Sequence, residues 1–291
     1  MRPQIRGIAA GLSAASIWGG MYVVSDVVLE TIPPFTLLGL RLALGILTWG
    51  IVIVARRLPV PFGRLREILF AGFVGYGVSL GLQFVGTKLS TAANGALLTS
   101  ATPAFVALFA AWLLREKLSR RMIFALLVST AGVLLVVDVR AARFSPDLFL
   151  GNLALVGAAL TWGLYSVLMR RATLAGENLV PLTFIVLFGG LPISLPLMGL
   201  ELAEGNIGIM TPQVILGVLY LGVISTAFAM YLWTYAFARL EANAASLTFF
   251  AQPVVGVALS AILLGEVISP AFYAGGLLIG TGLWLSARKE A

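Results

Sequence analysis

Cysteine and histidine are both absent from the 291 residues. Their absence excludes disulfides, thiolate metal sites, cysteine nucleophiles and imidazole general bases. Charge is scarce as well: 11% of residues are charged, against 60% hydrophobic, and the mean hydropathy is +1.02. A soluble domain carries about 25% charged residues, so this chain lacks the polar side chains needed to coat a globule in water. Its solvent is lipid. A net charge of +7 does not point to nucleic acid, because the basic residues fall in short clusters between apolar runs and form no stripe. No nucleophile–base pair and no group of ligating side chains occurs at depth, so neither an enzyme nor a bound cofactor or metal is expected.

What is present is a series of long apolar runs. A helix needs about 20 residues to cross about 30 Å of hydrocarbon. Ten such spans are expected, near 7–28, 35–54, 67–86, 92–113 and 121–138, then 148–169, 181–200, 213–237, 243–264 and 271–287. Ser119, Thr211 and Ser269 read as helix N-caps, the last two followed by proline at the first helical position. The first run continues to Val28 and shares its pattern with residues 151–163, so it reads as a retained span and not a signal peptide. With the N-terminus in the cytoplasm, 15 Arg and Lys residues fall inside and 3 outside (Lys88, Arg140, Arg143), with Arg41 inside a span. That bias predicts both termini to be cytoplasmic.

The two halves repeat each other. Gly7, Ala14, Ala15, Trp18 and Gly19 match Gly151, Ala158, Ala159, Trp162 and Gly163 at an offset of 144. Pro103, Glu116, Ser119 and Gly132 match Pro253, Glu266, Ser269 and Gly282 at an offset of 150. The expected units are residues 1–144 and 145–291. Each holds an odd number of spans, so the second inserts upside down relative to the first, and such inverted repeats place a site near mid-bilayer between the halves. Trp18 and Trp162 each lie eleven residues past their matched glycine, about 16 Å along a helix. Pro103 and Pro253 sit halfway along their spans, freeing the carbonyls of Thr99 and Phe249. These kinks either serve gating and substrate contact or improve packing.

The W-G of each first helix and the P-x12-E-x2-S run of each fourth resemble the EamA family of the drug/metabolite transporter superfamily, over essentially the whole chain. Within it the chain is most similar to the YddG-type bacterial exporters of aromatic amino acids. The resemblance implies an all-α integral membrane protein, with ten transmembrane helices as two inverted five-helix repeats around a central cavity. Helices 1, 3, 4, 6, 8 and 9 would line that cavity and helix 2 would lie outside it.

Helical spacing selects candidate cavity faces. These are Trp18 and Tyr22 on helix 1, Tyr76, Ser79 and Gln83 on helix 3, and Asn94 and Thr102 on helix 4. Helix 6 offers Trp162 with Tyr165 or Ser166, helix 8 Tyr231 and Tyr235, and helix 9 Ser246, Phe250 and Gln252. Aromatic rings with uncharged hydrogen-bonding groups suit an aromatic amino acid. Competing roles stand beside some of them: Tyr22 as an interfacial belt residue, Gln83 and Gln252 as links between helices, and the glycines of helix 3 as close-packing positions. Glu116 and Glu266, at span ends, read as structural links from a helix end to the next N-cap. An intramembrane arginine is normally paired, and Asp26 is the expected partner of Arg41.

No Asp, Glu, His or Lys lies in the middle of a span, where a proton relay would be expected. The resemblance implies export of aromatic and other neutral amino acids by alternating access in the bacterial inner membrane, and the missing relay makes a facilitative uniport the expected mode. Its partners would be the small-molecule substrate and the bilayer, with a monomer among the expected states. The alternative is an exporter or exchanger of another small metabolite such as a sugar phosphate or nucleotide sugar, which would call for clustered cations in the cavity.

Overall fold

Every backbone polar group in hydrocarbon must be satisfied within its own segment, and the chain meets that demand with helices throughout its described length. The structure, a computed structural model, describes residues 3–60, 62–99, 101–116, 120–137, 145–174, 176, 178–205, 207–265 and 270–287. They form ten rods. In the first half these are α1 (Pro3–Leu29), α2 (Pro34–Arg56), α3 (Leu65–Leu89), α4 (Ala92–Leu113) and α5 (Arg120–Val137). The second half holds α6 (Pro146–Thr173), α7 (Leu179–Phe188 with Leu191–Ala203), α8 (Pro212–Arg239), α9 (Ala242–Leu264) and α10 (Pro270–Ala287). Among the described residues seven helices are long and apolar enough to cross a membrane, and the two segments of α7, bent by 43°, make an eighth. The 18 residues of α5 and of α10 complete the ten.

The helix ends follow from local chemistry. Thr211 accepts from the Val214 amide at 3.4 Å, and Pro212 occupies the first turn of α8, as the sequence predicts. The first turn of α2 has no side-chain cap of its own. Instead Glu201, from the far end of α7, accepts from the Phe35 and Thr36 amides at 3.1 and 2.6 Å and from the Thr36 hydroxyl at 2.9 Å. A carboxylate there meets the positive end of the helix dipole. Ser119, Ser269 and Glu266 lie outside the described residues.

The backbone records the repeat more sharply than the side chains do. Both third helices contain a stretch of π-helix, Phe73–Ser79 in α3 and Tyr220–Phe228 in α8. Both fourth helices are interrupted just ahead of their proline: α4 has a turn at Ala101, and α9 tightens to a 3-10 turn over Leu247–Phe250. Both end next to a left-handed residue, Arg115 at φ 58° and Gly265 at φ 66°, 150 positions apart. A positive φ is uncommon outside glycine, so its recurrence on an arginine reflects the shared turn and not the residue.

Packing runs across the halves. α1 lies against α8 and α9, α6 lies against α3 and α4, and α5 lies along α10. The glycine after each repeated tryptophan makes two of these contacts close. A Cβ on Gly19 would stand 2.7 Å from the Gln252 carbonyl oxygen, and one on Gly163 would stand 2.7 Å from the Phe105 Cβ. The α3 glycines serve packing too, with Gly72 against the Val186 backbone and Gly75 against the Tyr165 ring. Large apolar side chains such as Ile51, Val54, Trp112, Ile262 and Leu277 face outward, as a lipid-facing surface requires.

Candidate functional site

The two repeated tryptophans meet. The Trp18 and Trp162 rings stand edge to face, with centroids 5.4 Å apart at 88°. Around them Trp233 lies 5.3 Å and Phe249 5.8 Å from Trp18, and Tyr165 lies 4.5 Å and Tyr76 6.2 Å from Trp162. Aromatic pairs of this kind contribute about 0.5–1.5 kcal/mol each beyond their burial, so the cluster is a stiff floor built from five helices. Trp18 is fixed further by its indole N–H, which donates to the Ser225 carbonyl at 2.9 Å. The indole nitrogen of Trp162, on a side chain only 6% exposed, has no partner.

Beside this cluster the helices leave a narrow cavity of about 20 Å³. That is room for about one water, well below the roughly 300–1,000 Å³ of a ligand pocket, so the helices are closed around the site. The walls hold Trp18, Tyr22, Ser79, Gln83, Trp162 and Gln252 from the candidate set, together with Thr102. Pro103 follows Thr102 on α4. The Thr99 carbonyl that it frees accepts instead from the Thr102 hydroxyl at 2.7 Å. The Thr99 hydroxyl donates to the Gly95 carbonyl at 2.7 Å and accepts from Tyr22 at 2.7 Å and from Gln252 Nε2 at 2.6 Å. Tyr22, α4 and α9 are thereby tied at one point, which places Tyr22 deep in the fold and not in an interfacial belt.

Other candidates lie elsewhere. Tyr76 and Tyr165 form a second layer behind Trp162, with hydroxyls 3.2 Å apart. Tyr231 packs on Trp49 at 5.3 Å, and Tyr235 lies under the Arg239 guanidinium at 5.1 Å, both away from the cavity. At 100° per residue, the inward face of α8 belongs instead to Met230, Trp233 and Phe237, which are buried. Asn94 donates to Ser90 Oγ and Asn152 Oδ1, each at 3.1 Å, at the junction of α3, α4 and α6. Ser246 donates to the Asn243 carbonyl and Ser166 to the Trp162 carbonyl, both at 2.8 Å. Pro253 lies within α9, next to Gln252. The Phe250 side chain lies outside the described residues.

The expectation for helix 2 needs correction. Arg41, fully buried, is part of the cavity wall, and it is the one charged residue among the described residues there. The groups that receive its N–H donors are Thr226 Oγ1, Ser225 Oγ at 3.1 Å and Met21 Sδ at 3.2 Å, with the Phe84 ring 5.4 Å from its Cζ. The expected carboxylate of Asp26 is not among these acceptors. A charge in the middle of a span is itself a functional signal. That signal conflicts with the expected place of helix 2 outside the cavity.

Glu116 does link helices, but across the halves: its Oε2 accepts from Asn243 Nδ2 at 2.7 Å, at the start of α9. Partial burial, and then the neighbouring Glu241 carboxylate, push its carboxyl above the ordinary range.

Comparison with known proteins agrees with this architecture. The family model for the EamA-like transporter family matches residues 5–138 and 149–288, one copy per half. The chain is 25% identical over 284 residues to a Salmonella typhimurium protein named a probable amino-acid metabolite efflux pump, covering 93% of this chain and 91% of that one. It is 23% identical over 295 residues to YetK of Bacillus subtilis, named an uncharacterized transporter, covering 100% of this chain and 89% of that one. A solved crystal structure 23% identical to the chain superposes with a TM-score of 0.69, covering 97% and 96% of the two chains.

Proposed function

The chain belongs to the EamA-like transporter family, and we propose that it exports aromatic and other neutral amino acids by alternating access. The observation that carries this reading is the cavity itself. It lies between two repeated halves, it is walled by Trp18, Trp162 and Tyr22, and neutral amides, hydroxyls and the single cation Arg41 complete it. Relatives in Salmonella typhimurium and Escherichia coli named probable amino-acid metabolite efflux pumps support the substrate class. Kinship to the YddG-type exporters would narrow it to aromatic side chains.

In this reading the halves are residues 1–144 and 145–291, with both termini in the cytoplasm of a bacterial inner membrane. The close seams at Gly19 and Gly163 are where one half rocks on the other. Opening either seam widens the cavity toward one side. Movement is facilitative, because the described cavity wall offers no carboxylate to carry a proton. Clustered cations for a sugar phosphate are likewise missing from that wall, which holds Arg41 alone.

The test is flux of labelled phenylalanine in proteoliposomes, with and without an imposed pH gradient. Saturable flux that persists without the gradient is expected. Obligatory dependence on the gradient would refute uniport, and no flux of any neutral amino acid would refute the substrate class.

A further inference from the structure

Hydrogen-bonding capacity around the cavity is unequal. Its hydroxyls are spent: Ser79 donates to the Ala158 carbonyl at 2.8 Å, Thr102 to the Thr99 carbonyl, and Thr99 accepts from both Tyr22 and Gln252. Its donors are not. A guanidinium carries five N–H groups, and the acceptors given to Arg41 are two hydroxyls and one thioether sulfur, the last a weak acceptor. Gln83 Nε2 has only the Met21 sulfur, at 3.7 Å. The Trp162 indole N–H has nothing. All three side chains line the same cavity.

A fully buried cation held by neutral groups is costly, and it persists where an anion completes it. We infer that Arg41 and the Trp162 indole N–H form a carboxylate subsite in the central cavity, so that the substrate is a monocarboxylate with an apolar or aromatic body. This rests on the export reading above and sharpens it: the carboxylate is the recognised group and the α-amino group is dispensable. A planar guanidinium presents parallel N–H donors that match both carboxylate oxygens. One fixed cation neutralises a carboxylate but leaves a phosphate dianion half uncompensated, so phosphoesters are excluded. Once the halves part and widen the cavity, the aromatic floor beside Arg41 receives the body of the ligand.

The experiment is binding to the purified full-length protein, read by intrinsic tryptophan fluorescence, with phenylpropionate, phenylalanine, phenylalaninamide and phenyl phosphate as probes. Phenylpropionate and phenylalanine should bind with similar affinity. Loss of the charge-assisted hydrogen bonds should weaken phenylalaninamide by about tenfold to hundredfold. Arg41→Gln and Arg41→Lys should each remove most of the preference for carboxylate over carboxamide, and Trp162→Phe, which keeps the ring and loses the donor, should reduce it.

Equal binding of phenylalanine and its amide to the wild-type protein would overturn the inference even if the arginine variants failed to fold. So would preference for phenyl phosphate, binding of none of the probes, or full discrimination in Arg41→Gln. Arg41-dependent binding of phenylpropionate without amino-acid flux would defeat the export reading and leave the subsite standing. Undiminished amino-acid flux in a folded Arg41→Gln protein would do the reverse.

Discussion

Replacing Gly19 by alanine tests the seam between the halves directly. The added methyl would stand 2.7 Å from the Gln252 carbonyl oxygen, 2.8 Å from the Val255 Cβ and 2.9 Å from the Gly256 amide nitrogen. Carbon atoms rest at about 3.5–4.0 Å from their neighbours, so α1 and α9 would have to part by roughly 0.5–1 Å. Two of the three obstructing atoms are backbone and cannot rotate aside. Overpacking of this kind costs about 1–3 kcal/mol, offset by about 1 kcal/mol because alanine favours helix over glycine. Gly199 on α7 has nothing within 4 Å of its would-be Cβ, so Gly199→Ala isolates the propensity gain. The difference between the two variants is then the steric term, about 1–3 kcal/mol in favour of Gly199→Ala. The assay is the temperature at which half of the detergent-solubilised protein loses its monodisperse gel-filtration peak. Gly163→Ala should fall on the same side as Gly19→Ala. If Gly19→Ala is as heat-resistant as Gly199→Ala, the seam is not closely packed and the reasoning fails.

The two tryptophans should separate when each is changed to phenylalanine. Trp18→Phe loses the bond to the Ser225 carbonyl and should lower stability by about 0.5–1.5 kcal/mol, whereas Trp162→Phe, whose indole N–H has no partner, should be near neutral in the same melting assay. Glu116 should make stability depend on pH. Its folded-state carboxyl is raised above its ordinary value by burial and by Glu241, so its ionisation opposes folding. Stability should therefore rise as pH falls from neutral through the raised value, and level off below the ordinary carboxylate range. Glu116→Gln keeps an oxygen for Asn243 and should abolish that increment; an unchanged pH profile in the variant would remove Glu116 as its source.

Much of the architecture is legible from periodicity. The ten spans of the sequence and the ten helices agree to within a few residues, because a run of 20 apolar residues has one low-energy solution in lipid. The repeated W-G is legible too, and the structure gives it a reason: the tryptophans meet at the centre while each glycine seats its helix against a broken helix of the other half. Side-chain direction was less legible. On α8 an aromatic residue occurs at 231, 233 and 235, so composition alone gives no preferred face, and Trp233 instead of Tyr231 or Tyr235 points inward. Asn94 is polar at a plausible depth, yet Ser90 and Asn152 capture its amide.

Composition, run length and internal repetition by themselves determined that this chain is a membrane protein of ten apolar helices in two copies of one unit. Those properties depend on transfer of whole segments out of water, which sums over many residues and survives ignorance of any contact. Only the tertiary structure decided that Arg41 reaches the cavity from a helix expected outside it, and that the Trp162 N–H is left free while the Trp18 N–H is used. Those are questions of single donors and single acceptors, settled by a few ångströms and by which way one rod is turned about its axis.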